Sequence, residues 1–185
     1  AVASGLAAGV LEPTAHYTLG GEVAMLTYDA SSGRVHSVVG QGWAPQAATI
    51  ELYEERWGEI PAGVHSTTVP GVISALLTML AEHGTMSFGQ VATDAFRLAA
   101  DGFPAYQLFC NALSTPERIA NLSRYPDSAR VFLPDGHPPS LGSIFKQPDL
   151  ARTLSLMVEA EKQAIDAGAR RESAIWASRE IFYKG

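Results

Sequence analysis

Gln41 stands between two glycines in the stretch Ser37-Val38-Val39-Gly40-Gln41-Gly42-Trp43-Ala44-Pro45. A β-branched run stops there, one carboxamide and one indole follow, and the chain resumes through Ala44-Pro45. Glycine on both sides permits a sharp turn and lets a ligand come close to the backbone. The spacing can therefore present a single amide, donor and acceptor at once, to a small molecule, with Trp43 as a neighbouring contact. The residues equally allow Gln41 to cap a turn or satisfy backbone groups at a strand end. The other chemistry-bearing residues are dispersed. His16, His36, His65, His83 and His137 stand singly, and a general base needs a nucleophile and an orienting partner within reach. Ser66-Thr67-Thr68 ahead of Pro70 reads as a loop with local hydroxyl-to-backbone bonds rather than as a nucleophile. Glu51, Glu54 and Glu55 read as a solvated face, and Trp43, Trp57 and Trp176 more readily as core anchors than as ligand platforms. There is no GxSxG, no phosphate-binding glycine loop, no HExxH and no calcium loop. Gly40-x-Gly42 lacks the third glycine of a dinucleotide fingerprint, because residue 45 is Pro. Cys110 is the only cysteine, so no internal disulfide and no cysteine-based zinc site can form.

The elements that must position Gln41 follow from the pattern around it. "EVAMLTYD" (22–29) and "RVHSVV" (34–39) are β-favouring and flank the turn "ASSG" (30–33), which predicts a hairpin with Gln41 just past its second strand. Val35 and Ser37 share one face, His36 and Val38 the other. Residues 1–11 predict a helix of small side chains packed close to a neighbour, ended at Glu12-Pro13. Residues 48–63 fit either a short helix or an extended arm. From Pro70, placed in the first turn of a helix, apolar residues at 72, 73, 76, 77 and 80 predict a helix that stops at Gly84. Further helices are expected at 87–102 (Ser87 as cap, Gly102 as stop), 104–113, 115–124, 147–168 and from Arg170 to the end, with a short strand at 129–133 and a loop at 134–143. No internal repeat is visible. The layout is α+β, a hairpin embedded in helices.

With 185 residues, 46% apolar and 17% charged, the composition is that of a globular domain or a large piece of one. A net charge of −6 argues against nucleic acid and against docking on an anionic membrane, and no apolar run is long enough to span a bilayer. A disulfide-free chain suits the cytosol without excluding the periplasm. Neither the Ala/Gly-rich start, which lacks Met and a basic region, nor the end at "EIFYKG" reads as a natural terminus, and both are expected to be cuts in a longer polypeptide.

Several blocks occur in an order that is known. "GVLEP", "GGEVAMLTYDASSGRV", "GWAPQAAT", "TVPGVISALLTMLAEHGTMSFGQVATDAFRLAADGFPAY", "RVFLPDGHPPSLGSIFKQPDLARTL" and "EIFYKG" resemble, over nearly the whole chain, the large-subunit region of the γ-glutamyltranspeptidase family. The resemblance implies the four-layer αββα sandwich of the N-terminal-nucleophile hydrolases, of which residues 1–185 would be an incomplete large subunit without a separate domain boundary. It also implies a precursor that cuts itself and a small (β) subunit whose N-terminal Thr is the nucleophile. An acyl-enzyme would form from a small-molecule amide, and neither metal nor organic cofactor would be needed. On that basis no catalytic residue lies in this chain, and Thr67 and Thr68 are not nucleophiles. Two departures stand out. Family members acting on γ-glutamyl donors carry Asp-x-Arg-Glu before "AP", and counting back from Ala44-Pro45 puts Gln41 at the Arg position. A carboxamide cannot neutralise a donor carboxylate, and losing such a charged pair typically costs about 2–5 kcal/mol. This points to amidohydrolases of the oxamate- or acylase-like kind, with Gln41, together with Trp43, contacting substrate. A genuine γ-glutamyltransferase or glutathione hydrolase with another residue in place of the Arg is the alternative, and an inactive structural or binding homologue the second. The other departure, residues 159–178, reads as a helical elaboration at a subunit contact.

Overall fold

The computed structural model describes residues 1–185 as nine α-helices and two small antiparallel sheets. Helix α1 (Val2–Leu11) is made of small residues because it packs closely: Leu6 and Val10 are fully buried, and Gly5 lies directly against Leu76. Strands β1 (Val23–Asp29) and β2 (Arg34–Gly40) form the expected hairpin, with Met25 opposite Val38 and Thr27 opposite His36. Its turn is held by the Asp29 carboxylate, which accepts from the Ser31 amide and from the Ser31 and Ser32 hydroxyls. Residues 48–63 resolve as helix α2 (Ile50–Arg56), capped by the Thr49 hydroxyl.

Helix α3 (Val72–His83) is the central element, packing on α1 and on one face of the hairpin. Helix α4 (Phe88–Ala100) starts at a full capping box between Ser87 and Gln90 and ends before Gly102, whose φ of +90° suits a residue without a Cβ. Next come β3 (Phe103–Pro104), α5 (Gln107–Leu113), α6 (Pro116–Ser123), α7 (Pro126–Phe132), β4 (Ile144–Phe145), α8 (Pro148–Asp166) and α9 (Arg171–Lys184). The long α8 and α9 pack against each other, α8 also on α4 and α9 on α3. The core runs through Ile73, Leu77, Phe88, Phe109, Leu154, Met157 and Ile175. No helix is long and apolar enough to cross a membrane.

Four local expectations are corrected. Residues 129–133 are not a strand: Pro126 opens a helix, Asp127 sits in its first turn, and Arg130 reaches back to it and across to Asp149 at 2.7 Å. A five-residue apolar run is too short to separate the two periods. Residues 104–106 are not helical, because Phe103–Pro104 pairs with Ile144–Phe145 and the Ala105 amide donates to the Ser143 carbonyl. Pro70 lies ahead of α3, whose N-cap is Gly71. Residues 159–178 are more than an elaboration, because both ends of the segment join the helical core. Glu161 is buried and accepts from the Phe88 and Gly89 amides, while Ala174, Ile175 and Ser178 are fully buried.

The hairpin has two unlike relations to its surroundings. His36, Val38, Val23 and Met25 face α3, while Leu26, Tyr28, Val35 and Val39 on the opposite face are 77, 66, 63 and 66% exposed. Half-buried antiparallel sheets ordinarily turn a polar face to water. This one carries apolar side chains on both faces.

Candidate functional site

Gln41 follows directly on β2, and the backbone around it is locked against the approach to α3. The Val69 amide donates to the Trp43 carbonyl at 3.0 Å, and the Gly71 amide to the Gly21 carbonyl at 2.9 Å. A Cβ added at Gly42 would fall 1.7 Å from the Val69 carbonyl oxygen, and one at Gly71 would fall 2.1 Å from the Gly40 carbonyl oxygen. At Gly40 it would meet the Ala75 methyl at 2.6 Å. The glycines flanking Gln41 are therefore required by the protein's own backbone, a reason different from the ligand approach that the sequence suggested. The carboxamide itself is exposed and bonds to no protein group, so it neither caps the turn nor closes the strand end. Trp43 is 85% exposed and is not a core anchor, whereas Trp57 and Trp176 are half-buried.

Gln41 and Trp43 open onto a cleft of about 420 Å³ between the end of β2, the start of α3 and the last turns of α9. Its far wall carries Arg179, Tyr183, Glu180 and Lys184. The Tyr183 hydroxyl donates to the Pro70 carbonyl at 2.6 Å and accepts from the Ser74 amide at 3.2 Å, tying α9 to the first turn of α3. Burial pushes this phenol up, against the opposing pull of the Ser74 amide and the Arg179 charge. Arg179 donates from Nε to the Ser74 hydroxyl at 2.9 Å and from one terminal nitrogen to Glu180 at 3.3 Å, with its guanidinium 5.2 Å from the Tyr183 ring centre. Glu180 pairs with Lys184 one turn on, and that bond, with the lysine and arginine charges, holds its carboxyl below the usual range. The cleft thus offers a neutral amide on one wall and a guanidinium on the other. It can orient a polar ligand; it contains no nucleophile–base pair.

A second hollow of about 440 Å³ lies beyond Ala44-Pro45, lined by Tyr53, Ile60, His65 and Thr68. The His65 ring lies tilted against Trp57 with centres 4.7 Å apart, and its backbone carbonyl accepts from the Tyr53 hydroxyl. Ser66 and Thr67 donate to the carbonyls of Gly63 and Val64, as expected of a structural loop. Glu51, Glu54 and Glu55 are solvated. The histidines are not all single: His36 and His83 meet at 4.8 Å under the hairpin, across 47 residues of sequence that gave no sign of it. No group of three or more His, Cys, Asp or Glu side chains is placed to hold a metal. Sequence reasoning missed Arg179 and Tyr183 as cleft residues. The "EIFYKG" block contains Tyr183 and not Arg179, and it carried a resemblance but no location.

The family model Gamma-glutamyltranspeptidase matches residues 1–170. Glutathione hydrolase 7 of Mus musculus is 31% identical over 157 residues, covering 85% of this chain and 23% of that protein. The acylase ACY 1 proenzyme of Pseudomonas sp. (strain V22) is 30% identical over 179 residues, covering 91% of this chain and 31% of the relative. The chain therefore spans less than a third of the length of these relatives. The crystal structure of Helicobacter pylori γ-glutamyltranspeptidase superposes with a TM-score of 0.80 at 24% identity over the whole chain and 48% of that structure's chain, a likeness of fold.

Proposed function

The chain belongs to the γ-glutamyltranspeptidase family, and from that premise we propose that it is the large-chain part of a self-processing amide hydrolase or acyltransferase. The nucleophile in this reading is the N-terminal Thr of a small chain released from the same precursor. The Thr hydroxyl attacks the donor carbonyl with its own α-amine as base. The amine product leaves, and water or an acceptor amine then takes the acyl group. Residues 1–185 contribute one unit of an αββα sandwich, and the apolar outer face of the β1–β2 hairpin supports a second sheet lying upon it. The longer relatives include proenzymes, consistent with that division into two chains.

The observation that carries the substrate side of the proposal is the free Gln41 carboxamide at a cleft by the β2 exit, which the count back from Ala44-Pro45 aligns with the Arg of γ-glutamyl enzymes. It supports an acylase- or amidohydrolase-type donor contacted by Gln41 and Trp43. The similarity to a glutathione hydrolase, together with a different arginine in the same cleft, favours as second reading a γ-glutamyl enzyme with a relocated cation. The whole precursor decides. Purified protein should split into two chains at a Thr and turn over simple acyl-p-nitroanilides faster than γ-glutamyl-p-nitroanilide. Gln41→Arg should then raise the affinity for glutamate-like inhibitors. Strong γ-glutamyl turnover that drops in Gln41→Ala would establish the second reading, and a precursor without a junction Thr would make the protein a non-catalytic homologue.

A further inference from the structure

We propose that Arg179 is the anion-gripping residue of the Gln41 cleft, and that the donor is an amide bearing a carboxylate held from α9 rather than from the strand end. The inference rests on the reading that this cleft receives the donor. Its structural basis is the contrast between two arginines on one helix. Arg171, two turns earlier, is spent inside the fold, donating to the carbonyls of Leu80, Ala81 and Met86 around the C-terminal end of α3. Arg179 sits at the other end of α3 and is held at Nε by Ser74 and at Nη1 by the neighbouring Glu180. Its Nε is fixed by the Ser74 hydroxyl, its plane lies beside the Tyr183 ring, and Nη2 donates to no protein group. A guanidinium held at Nε and Nη1 presents its free Nη2 in a fixed direction, the preorganisation that carboxylate recognition needs.

The charge around it agrees. Arg179 and Lys184 line the cleft against the single carboxylate of Glu180, which leaves a net positive site on a chain of net charge −6. Glu180 is engaged with Lys184 and with one terminal nitrogen of Arg179, so it fixes the cation without covering it. Gln41, free on the opposite wall, can exchange donor and acceptor roles with the amide or an amine of the same ligand. Arg179 thereby supplies the charge that the strand end lacks, displaced to a different side of the cleft. A donor selected this way has its carboxylate directed toward α9.

The test uses the full processed two-chain protein with three probes: glutaryl-p-nitroanilide, butyryl-p-nitroanilide and glutarate itself. In Arg179→Met, KM for the glutaryl substrate should rise about 30-fold or more with kcat nearly unchanged, and glutarate affinity measured by calorimetry should fall in parallel. The preference for the glutaryl over the butyryl substrate, which has no carboxylate, should fall by about the same factor when the ratio of their kcat/KM values is compared between wild type and variant. Arg179→Lys keeps the charge and loses the fork, so it should lie between wild type and Arg179→Met; it also serves if Arg179→Met does not fold. Equal effects on both anilides, unchanged glutarate affinity in either variant, or no glutarate binding by wild type each overturn the proposal. If processed protein turns over neither anilide, the amide-hydrolase reading fails, while the calorimetry still decides the role of Arg179.

Discussion

Gly42→Ala tests whether the glycines around Gln41 serve the fold. The added methyl carbon would stand 1.7 Å from the Val69 carbonyl oxygen and 2.8 Å from the Thr68 hydroxyl oxygen. Side-chain carbons essentially never come within 3.0 Å of such atoms, so the 40–43 and 68–71 segments must part by roughly 1.3 Å. That displacement breaks the 3.0 Å bond from the Val69 amide to the Trp43 carbonyl. Overpacking of about 1–3 kcal/mol and a lost hydrogen bond of about 0.5–1.5 kcal/mol give a destabilisation of about 1.5–4.5 kcal/mol. Gly20 is the control, since a Cβ there meets nothing within 4 Å and its φ is not left-handed. Gly20→Ala should be neutral or stabilise by about 0.4–1 kcal/mol through the unfolded state. Urea denaturation of the processed protein, comparing midpoints at constant slope, measures both. If Gly42→Ala falls within about 0.5 kcal/mol of Gly20→Ala, the backbone lock is not what the glycines provide. Their role at the ligand would then be restored.

Glu161→Ala strips two amides at the start of α4 of a buried carboxylate at 2.6 and 2.8 Å, and should cost about 3–5 kcal/mol by urea midpoint, with Glu161→Gln intermediate because one acceptor oxygen survives. A loss below about 1 kcal/mol would show that residues 159–178 are dispensable to the core. Asp29 has its carboxyl held well below the usual range by the Ser32 and Ser31 hydroxyls and the Ser31 amide. Since the folded value lies below the unfolded one, the hairpin turn keeps this contribution at neutral pH and loses it as pH falls through the folded value. Ser31 amide exchange should therefore accelerate only in strong acid, and Asp29→Asn should remove that pH dependence; unchanged dependence in the variant would assign it elsewhere. On the outer hairpin face, Leu26→Asp should improve the solubility of residues 1–185 alone yet impair assembly of the two-chain protein. Two-chain protein that assembles normally with Asp at position 26 argues against a sheet packed there.

What was legible in the sequence was local. Ser87, Thr115 with Pro116, and Pro148 with Asp149 announce helix starts because capping and proline geometry involve only neighbours. The hairpin was readable because alternation and a polar turn are short-range signals. What failed had two causes. Residues 104–106 are extended because distant Ile144 and Ser143 lie beside them, whereas residues 129–133 continue a helix opened at Pro126, in an apolar run too short to show its period. The block "QPDLARTL" shows why a motif can identify a family without disclosing a site. Gln147 is buried, with its side-chain amide donating to the Val10 carbonyl at the end of α1, and Asp149 pairs with Arg130. Those residues join helices and touch no ligand cleft.

The cleft inverts that lesson. Its near wall was read from three letters, Gly40-Gln41-Gly42, although the glycines turn out to serve the backbone and only the carboxamide is free. Its far wall is supplied 138 residues later by one face of α9, where Arg179 and Tyr183 stand four apart and so point the same way. Tyr183 earns its place by closing Pro70 and Ser74 onto α9, and Arg179 uses the same Ser74 as its anchor. A single serine at the start of α3 therefore fixes both the tyrosine that shapes the cleft and the guanidinium that charges it. Replacing a strand-end Arg by Gln removes a cation from one wall of such a site. It does not remove the cation from the site when a helix across the cleft is held in place to carry one.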